Sequence, residues 1–298
     1  MAVPTRRPPT LRRSWMFCAG ADPRAHAAAL AARPDVLIPD LEDFTPPERR
    51  AEARVLIAGL LEACRMRGIV AGVRVNPLET VGLEDLAAVM HGRPDVVLLP
   101  KCASPVQVAA LDQAVARQEE KLGIPVGNTE LVPNIETARG LLRTFDIAQA
   151  SVRVVACLLA SEDMAADLGA ERAPDGVELQ YVRQRFLVDC TAAGVLAIDA
   201  PYTFSDAAGA RAEAMAARRL GFKAKSLVAP SHTVSINEGL TPSMEKVAKA
   251  IAIVAAFERA RASGLDRVEL DGILVEVPTV ANARRLIDRY QALAAFNL

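Results

Sequence analysis

Short apolar runs rich in β-branched residues recur along the chain, separated by stretches whose apolar positions fall at helical spacing. The runs lie at Ser14–Ala19, Val36–Pro39, Ile69–Val75, Asp95–Leu99, Glu130–Ile135, Val154–Ala160, Val195–Ile198 and Ser226–Ala229. Each has strand length, and continuous apolar character predicts burial on both faces. The segments between them, such as "PPERRAEARVLIAGLLEACRMR", "PVQVAALDQAVARQEEKLG" and "DAAGARAEAMAARRLG", read as helices. Strands alternating with helices imply parallel pairing, because each return to the same edge needs a crossover. Eight such units predict an α/β fold, a (β/α)8 TIM barrel. Beyond the eighth, "TPSMEKVAKAIAIVAAFERARASG" predicts a long helix. "GLDRVELDGILVEVPTVANARRLIDRY" then predicts a turn, a short extended piece and a last helix. The expected organisation is a barrel over residues 1–240 and a C-terminal helical extension over 241–298, acting as a lid or an oligomer arm.

Composition narrows the choice of partner. The 298 residues are 51% hydrophobic and 4% aromatic, which suits an aliphatic core under alanine-rich helices. Lys and Arg (35) nearly balance Asp and Glu (36), so no general attraction to nucleic acid or anionic lipid is expected, and a small-molecule ligand is. Cysteines 18, 64, 102, 157 and 190 form no CxxC pair, which predicts reduced, buried thiols and no disulfide framework or zinc site. The basic N-terminus "MAVPTRRPPTLRRS" lacks the apolar stretch of a secretory signal, and no run is long enough to span a membrane. A cytoplasmic protein is expected.

Chemistry in such a barrel belongs where the strands finish, and charge collects there. The second strand leads into "DLEDFTPPERRAEAR", with Asp40, Glu42 and Asp43 inside four residues. Left unneutralised, two carboxylates about 4 Å apart repel by roughly 4 kcal/mol at an effective dielectric near 20. The plainer alternative is a solvated turn whose acids favour a helix N-terminus. The other exits carry Gly20, Arg74 with Asn76, Lys101, Glu136, Glu162 with Asp163, Asp199, and Ser231 with His232. Neighbouring strands run about 4.8 Å apart, so Glu136 and Asp163 could grip one Mg²⁺, which takes a couple of carboxylates plus water and substrate oxygens. Otherwise both merely open helices. Arg74 offers a fork to a carboxylate or an enolate oxygen, or a structural partner to the acids at 40–43. Lys101 could form an imine or pair with the same acids. No nucleophile elbow, dinucleotide fingerprint or P-loop is present, and His232 is the one histidine near an exit.

Over residues 12–290, "RRSWMFCAG", "DLEDFTPPERRAEAR", "VRVN", "VVLLPKC", "NIETARGL", "ASEDMAADLG", "AIDAPY" and "ARRLGFKAKSLVAPS" follow in that order. They resemble the citrate lyase β-subunit-like proteins of the HpcH/HpaI aldolase/citrate lyase family, which include malyl-CoA and citramalyl-CoA lyases. The resemblance implies a (β/α)8 barrel that uses Mg²⁺ to make or break a carbon–carbon bond between a 2-oxo acid and an acyl-thioester enolate. It implies Glu136 and Asp163 as metal ligands and Arg74 as the arginine that binds substrate near the metal; Lys101 and Glu136 are further candidates for binding substrate. Asp40, Glu42 and Asp43 resemble the acidic loop that holds metal-bound water and orients that arginine. A homo-oligomer, trimer or hexamer, is implied as well.

Three places depart from the family pattern. Ala19-Gly20 replaces the usual Pro-Gly, and Val228-Ala229-Pro230 replaces Ile-His-Pro, with His232 two residues late. Both bear on recognition of CoA. In "DGILVEVP" the usual Asp is Glu276, one methylene longer. The expected reaction is Mg²⁺-dependent cleavage of a 3-hydroxy-acyl thioester, of citryl-, malyl- or citramalyl-CoA type, to a 2-oxo acid and an acyl thioester. In the reverse direction Glu276, carried on a lid, is the expected base; the alternative is a solvated acid before Pro278 and the last helix. The alternatives are an aldolase acting on free 4-hydroxy-2-oxo acids, and a non-catalytic subunit that binds an acyl carrier or partner enzyme.

Overall fold

In the computed structural model, which describes residues 5–296, eight parallel strands close into a barrel in chain order. They are β1 (Ser14–Ala19), β2 (Val36–Asp40), β3 (Val70–Arg74), β4 (Val96–Leu99), β5 (Glu130–Ile135), β6 (Ala156–Leu159), β7 (Leu196–Asp199) and β8 (Ala224–Leu227). The ring shuts where β1 meets β8, with Trp15 opposite Ser226. The helices between them are α1 (Pro23–Ala32), α2 (Arg50–Arg65), α3 (Gly82–Val89), α4 (Pro105–Lys121), the short α5 (Ala138–Leu141) and α6 (Thr144–Ala148), α7 (Ser161–Leu168), α8 (Gln180–Ala193), α9 (Ala207–Leu220) and α10 (Thr233–Leu240). This is the TIM-barrel class that the alternation predicts.

Side chains alternate in and out along each strand, which splits the core into two layers. Trp15, Phe17, Val36, Ile38, Val70, Val96, Leu98, Val132 and Leu158 fill the barrel interior. Met16, Leu37, Ala71, Val97 and Leu131 pack outward under the helices. The N-terminal ends of the strands are sealed by arginines. Arg12, fully buried, makes a two-point pair with Glu130, and Arg13 another with Asp35 at 2.9 and 3.1 Å. Asp22 starts α1 by accepting from the N–H groups of Arg24 and Ala25, and Asp206 starts α9 through Gly209 N–H.

The eighth strand begins two residues earlier than its apolar run suggests. Its centre is Lys225-Ser226, both fully buried. The Lys225 ammonium lies 2.9 Å from Asp199 and 2.8 Å from Glu213, so the lysine is neutralised in the layer between strands and helices. All five cysteines are buried and unbridged, as expected. Among the described residues no helix is long and apolar enough to cross a membrane.

Two compact units divide between Leu240 and Thr241. The second contains α11 (Met244–Ala262), a hairpin of β9 (Val268–Leu270) and β10 (Ile273–Val275), and α12 (Val277–Phe296). The sequence reading has one extended piece here; two antiparallel strands are found. Asp271 and Gly272 both take left-handed φ, 51° and 74°, as a two-residue hairpin turn requires. Phe257, Val275 and Val280 form this unit's own small core.

Candidate active site

The last residues of β2 and β3 lie side by side in the ladder, Asp40 opposite Arg74. Both continue the inward-facing series of their strands, so both side chains turn into the mouth of the barrel. Arg74 grips Asp40 with its fork, Nε to Oδ1 and Nη2 to Oδ2, each at 2.7 Å. Asp40 also accepts from the backbone N–H groups of Glu42 at 3.1 Å and Phe44 at 2.9 Å, which wraps the acidic loop around its carboxylate. Gly20 backs this turn. Its N–H donates to Asp40 O at 3.1 Å and to Thr45 Oγ1 at 2.9 Å, and a Cβ there would sit 2.6 Å from Asp40 O.

The other guanidinium nitrogens reach further acids. Arg74 Nη1 is 3.1 Å from Glu42 and 3.7 Å from Glu136, and Nη2 is 3.8 Å from Asp43. The guanidinium also lies over the rings of Phe17 and Phe44, 5.1 and 5.8 Å from their centroids. Burial disfavours its charge, but Asp40, Glu42 and Glu136 outweigh that and hold its pKa above the ordinary value. Lys101, at the exit of β4 with a left-handed φ of 49°, crosses to the same loop, with Nζ 2.5 Å from Glu42 and 3.4 Å from Asp43. Desolvation opposes its charge too, yet the Glu42 hydrogen bond and the charges of Glu42, Asp43 and Asp163 raise its pKa. An ammonium so held is no imine-forming nucleophile. Of the two expectations for Lys101, pairing with the acids is what the geometry supports.

Glu136 follows β5 and is fully buried, and neither of its carboxylate oxygens has a hydrogen-bond partner. Burial, then the charges of Asp163 and Glu42, push its pKa up to about 8 against the pull of Arg74. Glu42 is also raised, by burial first and then Asp43, despite Arg74 and Lys101. Asp163 sits half-buried in the first turn of α7, close enough for its charge to act on both Glu136 and Lys101. Glu162 beside it turns away, to Arg172 at 3.1 Å and Thr203 at 2.9 Å.

The mouth therefore gathers five carboxylates (Asp40, Glu42, Asp43, Glu136 and Asp163) around two cations, Arg74 and Lys101. Three negative charges remain when all are ionised. Among the described residues no three His, Cys, Asp or Glu side chains form a closed metal cage. That rules out little for a hard cation such as Mg²⁺, which keeps several waters and needs only one or two carboxylates. The orphaned Glu136 oxygens beside Asp163 fit such an ion.

Other exit residues serve the frame. Asp199 points outward, held by Arg183 at 2.8 and 2.7 Å and by Lys225. The Asn76 amide donates to Leu41 O and Asp85. His232 is buried, with Nε2 3.3 Å from Ser205 O. Glu276 belongs to the second unit, where its carbonyl accepts from Val280 N–H at 3.1 Å and opens α12. The sequence reading missed Phe17, Phe44 and Thr45. Phe17 reads as strand core, whereas Phe44 in an acidic loop is the signal that was available.

Comparison with known proteins adds family to geometry. The profile described as HpcH/HpaI aldolase/citrate lyase matches residues 13–230. Citrate lyase subunit beta of Escherichia coli K12 is 34% identical over 280 residues, 93% of this chain and 93% of that protein. A (3S)-malyl-CoA thioesterase of Cereibacter sphaeroides is 32% identical over 292 residues, covering 95% and 96%. The crystal structure of CitE from Mycobacterium tuberculosis in complex with magnesium, acetoacetate and coenzyme A superposes with a TM-score of 0.78. It is 29% identical, over 94% of this chain and 98% of that one.

Proposed function

The chain belongs to the HpcH/HpaI aldolase/citrate lyase family, and from that premise we propose that it is a Mg²⁺-dependent carbon–carbon lyase acting on a CoA thioester of a 3-hydroxy acid. The products are a 2-oxo acid and an acyl thioester. One observation carries the reading: a buried carboxylate, Glu136, with neither oxygen hydrogen-bonded, in a mouth where five carboxylates face two cations. Glu136 and Asp163 hold the ion. Bound there, it supplies a Lewis acid and a template for the hydroxy-acid end of the substrate.

The remaining roles fall to side chains. Cleavage removes the hydroxyl proton to a base, turns that carbon into the carbonyl of the 2-oxo acid, and leaves the bonding pair on the thioester as an enolate, which then takes a proton. Arg74, fixed by Asp40 and by the loop acids, presents Nη1 as a preorganised positive charge for the developing anion. Asp40, Glu42 and Asp43 orient that arginine, and Lys101 with Glu136 faces the substrate. Glu276, on a lid formed by residues 241–298, takes the proton from the acyl carbon when the reaction runs toward condensation. A cytoplasmic homo-oligomer, trimer or hexamer, completes the proposal, and the solution mass of the purified protein checks the oligomer.

A cleavage screen of malyl-, citramalyl- and citryl-CoA beside free 4-hydroxy-2-oxo acids tests the reading. Turnover of a thioester that stops with EDTA and returns with Mg²⁺ supports it. Turnover of the free acids alone makes the chain an aldolase of the same family. No Mg²⁺-dependent turnover of any of them leaves a binding subunit.

A further inference from the structure

Asn134 stands two residues before Glu136, on the inward face of β5 that also carries Val132. It is fully buried, and neither its amide nitrogen nor its amide oxygen has a hydrogen-bond partner. Its backbone is ordinary, the carbonyl accepting from Cys102 N–H at 3.0 Å. Leu158 on β6 lies opposite it in the ladder, and Leu98 on β4 lies opposite Val132, one inward position below. An amide left unpaired in such a place is costly, and a leucine of similar volume would avoid that cost. The Glu136 carboxylate is likewise without a hydrogen-bond partner, and the Asn134 amide lies close enough to favour its ionised form.

We propose that Asn134 is a positioning residue for the cation site: its Nδ2–H donates to the ionised Glu136 carboxylate and fixes the direction in which that carboxylate faces Asp163. The proposal rests on the assignment of Glu136 as a Mg²⁺ ligand and extends it one step outward. Carboxylates that hold metals are themselves held by hydrogen bonds, and loss of such a partner typically weakens metal binding about 10–100-fold. A buried donor two residues before a ligand on the same strand, itself without a hydrogen-bond partner, suits that task. It also explains a polar residue that continues the inward series begun by Val132.

The test is calorimetric titration of Mg²⁺ into the full chain without substrate, together with the metal-free unfolding temperature. Asn134→Leu is expected to weaken Mg²⁺ binding roughly 10-fold or more, while the metal-free unfolding temperature holds or rises. That pair of signs distinguishes a positioning role from a merely structural one. Equal Mg²⁺ affinity in wild type and Asn134→Leu overturns the proposal. So does a weakening accompanied by a fall in the metal-free temperature, which assigns the amide to the fold. Should the leucine variant not fold, Asn134→Ala decides by the same titration, weaker binding supporting the proposal and equal binding overturning it. A folded wild-type chain that takes up no Mg²⁺ refutes the metal assignment itself, and is recognised as such before any variant is measured.

Discussion

Mg²⁺ should enter this chain in exchange for a proton. Burial, reinforced by Asp163 and Glu42, lifts the Glu136 pKa from 4.5 to about 8. At pH 7 the group then lies about one unit below its midpoint and is roughly 90% protonated, whereas a metal ligand must be ionised. Binding at pH 7 should thus release close to ~0.9 proton per ion, falling to about half at pH 8. Apparent affinity should be about 10-fold below its high-pH plateau at pH 7 and about 100-fold below it at pH 6. The sign for stability follows from the same shift. An acid whose folded pKa lies above its unfolded value stabilises the metal-free fold fully below about 4.5, and that contribution is lost as pH rises through about 8. Bound Mg²⁺ should offset the loss, so the cation's effect on unfolding temperature should grow with pH across this window. Calorimetry at pH 7 in buffers of different ionisation enthalpy counts the protons directly. A slope of zero against buffer enthalpy, or an affinity flat between pH 6 and 8, would refute the reasoning. Glu136→Gln should remove both the proton release and most of the affinity.

Arg74→Lys keeps the charge but cannot span Asp40 and Glu42 together; kcat/KM should fall about 100-fold or more with Mg²⁺ still bound, and wild-type turnover would return Arg74 to a structural role. Glu276→Gln should abolish condensation while sparing cleavage more, and Glu276→Asp should alter condensation most; rates unchanged by Gln in both directions place the base elsewhere. Lys225→Met leaves Asp199 and Glu213 to share Arg183 alone, so urea denaturation should show a loss of about 3–5 kcal/mol; a variant as stable as wild type would show that the burial of this pair is neutral.

Legibility in the sequence followed the physics of each element. A strand buried on both faces writes itself as an apolar run, and β1 and β5 begin and end where their runs do. The run fails where a charge is neutralised inside the wall. Lys225 reads as a loop residue, because nothing local announces that Asp199 and Glu213 will meet it, and so the apolar run marks β8 two residues late. The β9–β10 hairpin was within reach, since Asp271-Gly272 is the turn chemistry such a hairpin needs. At the mouth, strand exits name the charged residues but not their direction. Asp40 and Arg74 share the inward parity of their strands, whereas Asp199 is one residue out of phase with Ile198 and faces the helices. The orphaned state of Asn134 has no sequence signature at all. It emerges only from counting partners in three dimensions.

The arginine-sealed floor has a kinetic consequence. With Arg12 locked to Glu130, Arg13 to Asp35, and Trp15 and Val36 filling the space above them, the described residues close the floor of the barrel and leave the mouth as its doorway. A molecule that reaches Glu136 must leave by the route it entered. Cleavage yields two fragments where there was one substrate, so departure is a queue. The fragment nearer the doorway goes first, and the one anchored beside Glu136 waits behind it. The later fragment can occupy the emptied site alone, so it should compete with fresh substrate, while the earlier one should trap its sibling by plugging the exit. The order of traffic is thus set at the end of the barrel where no chemistry takes place.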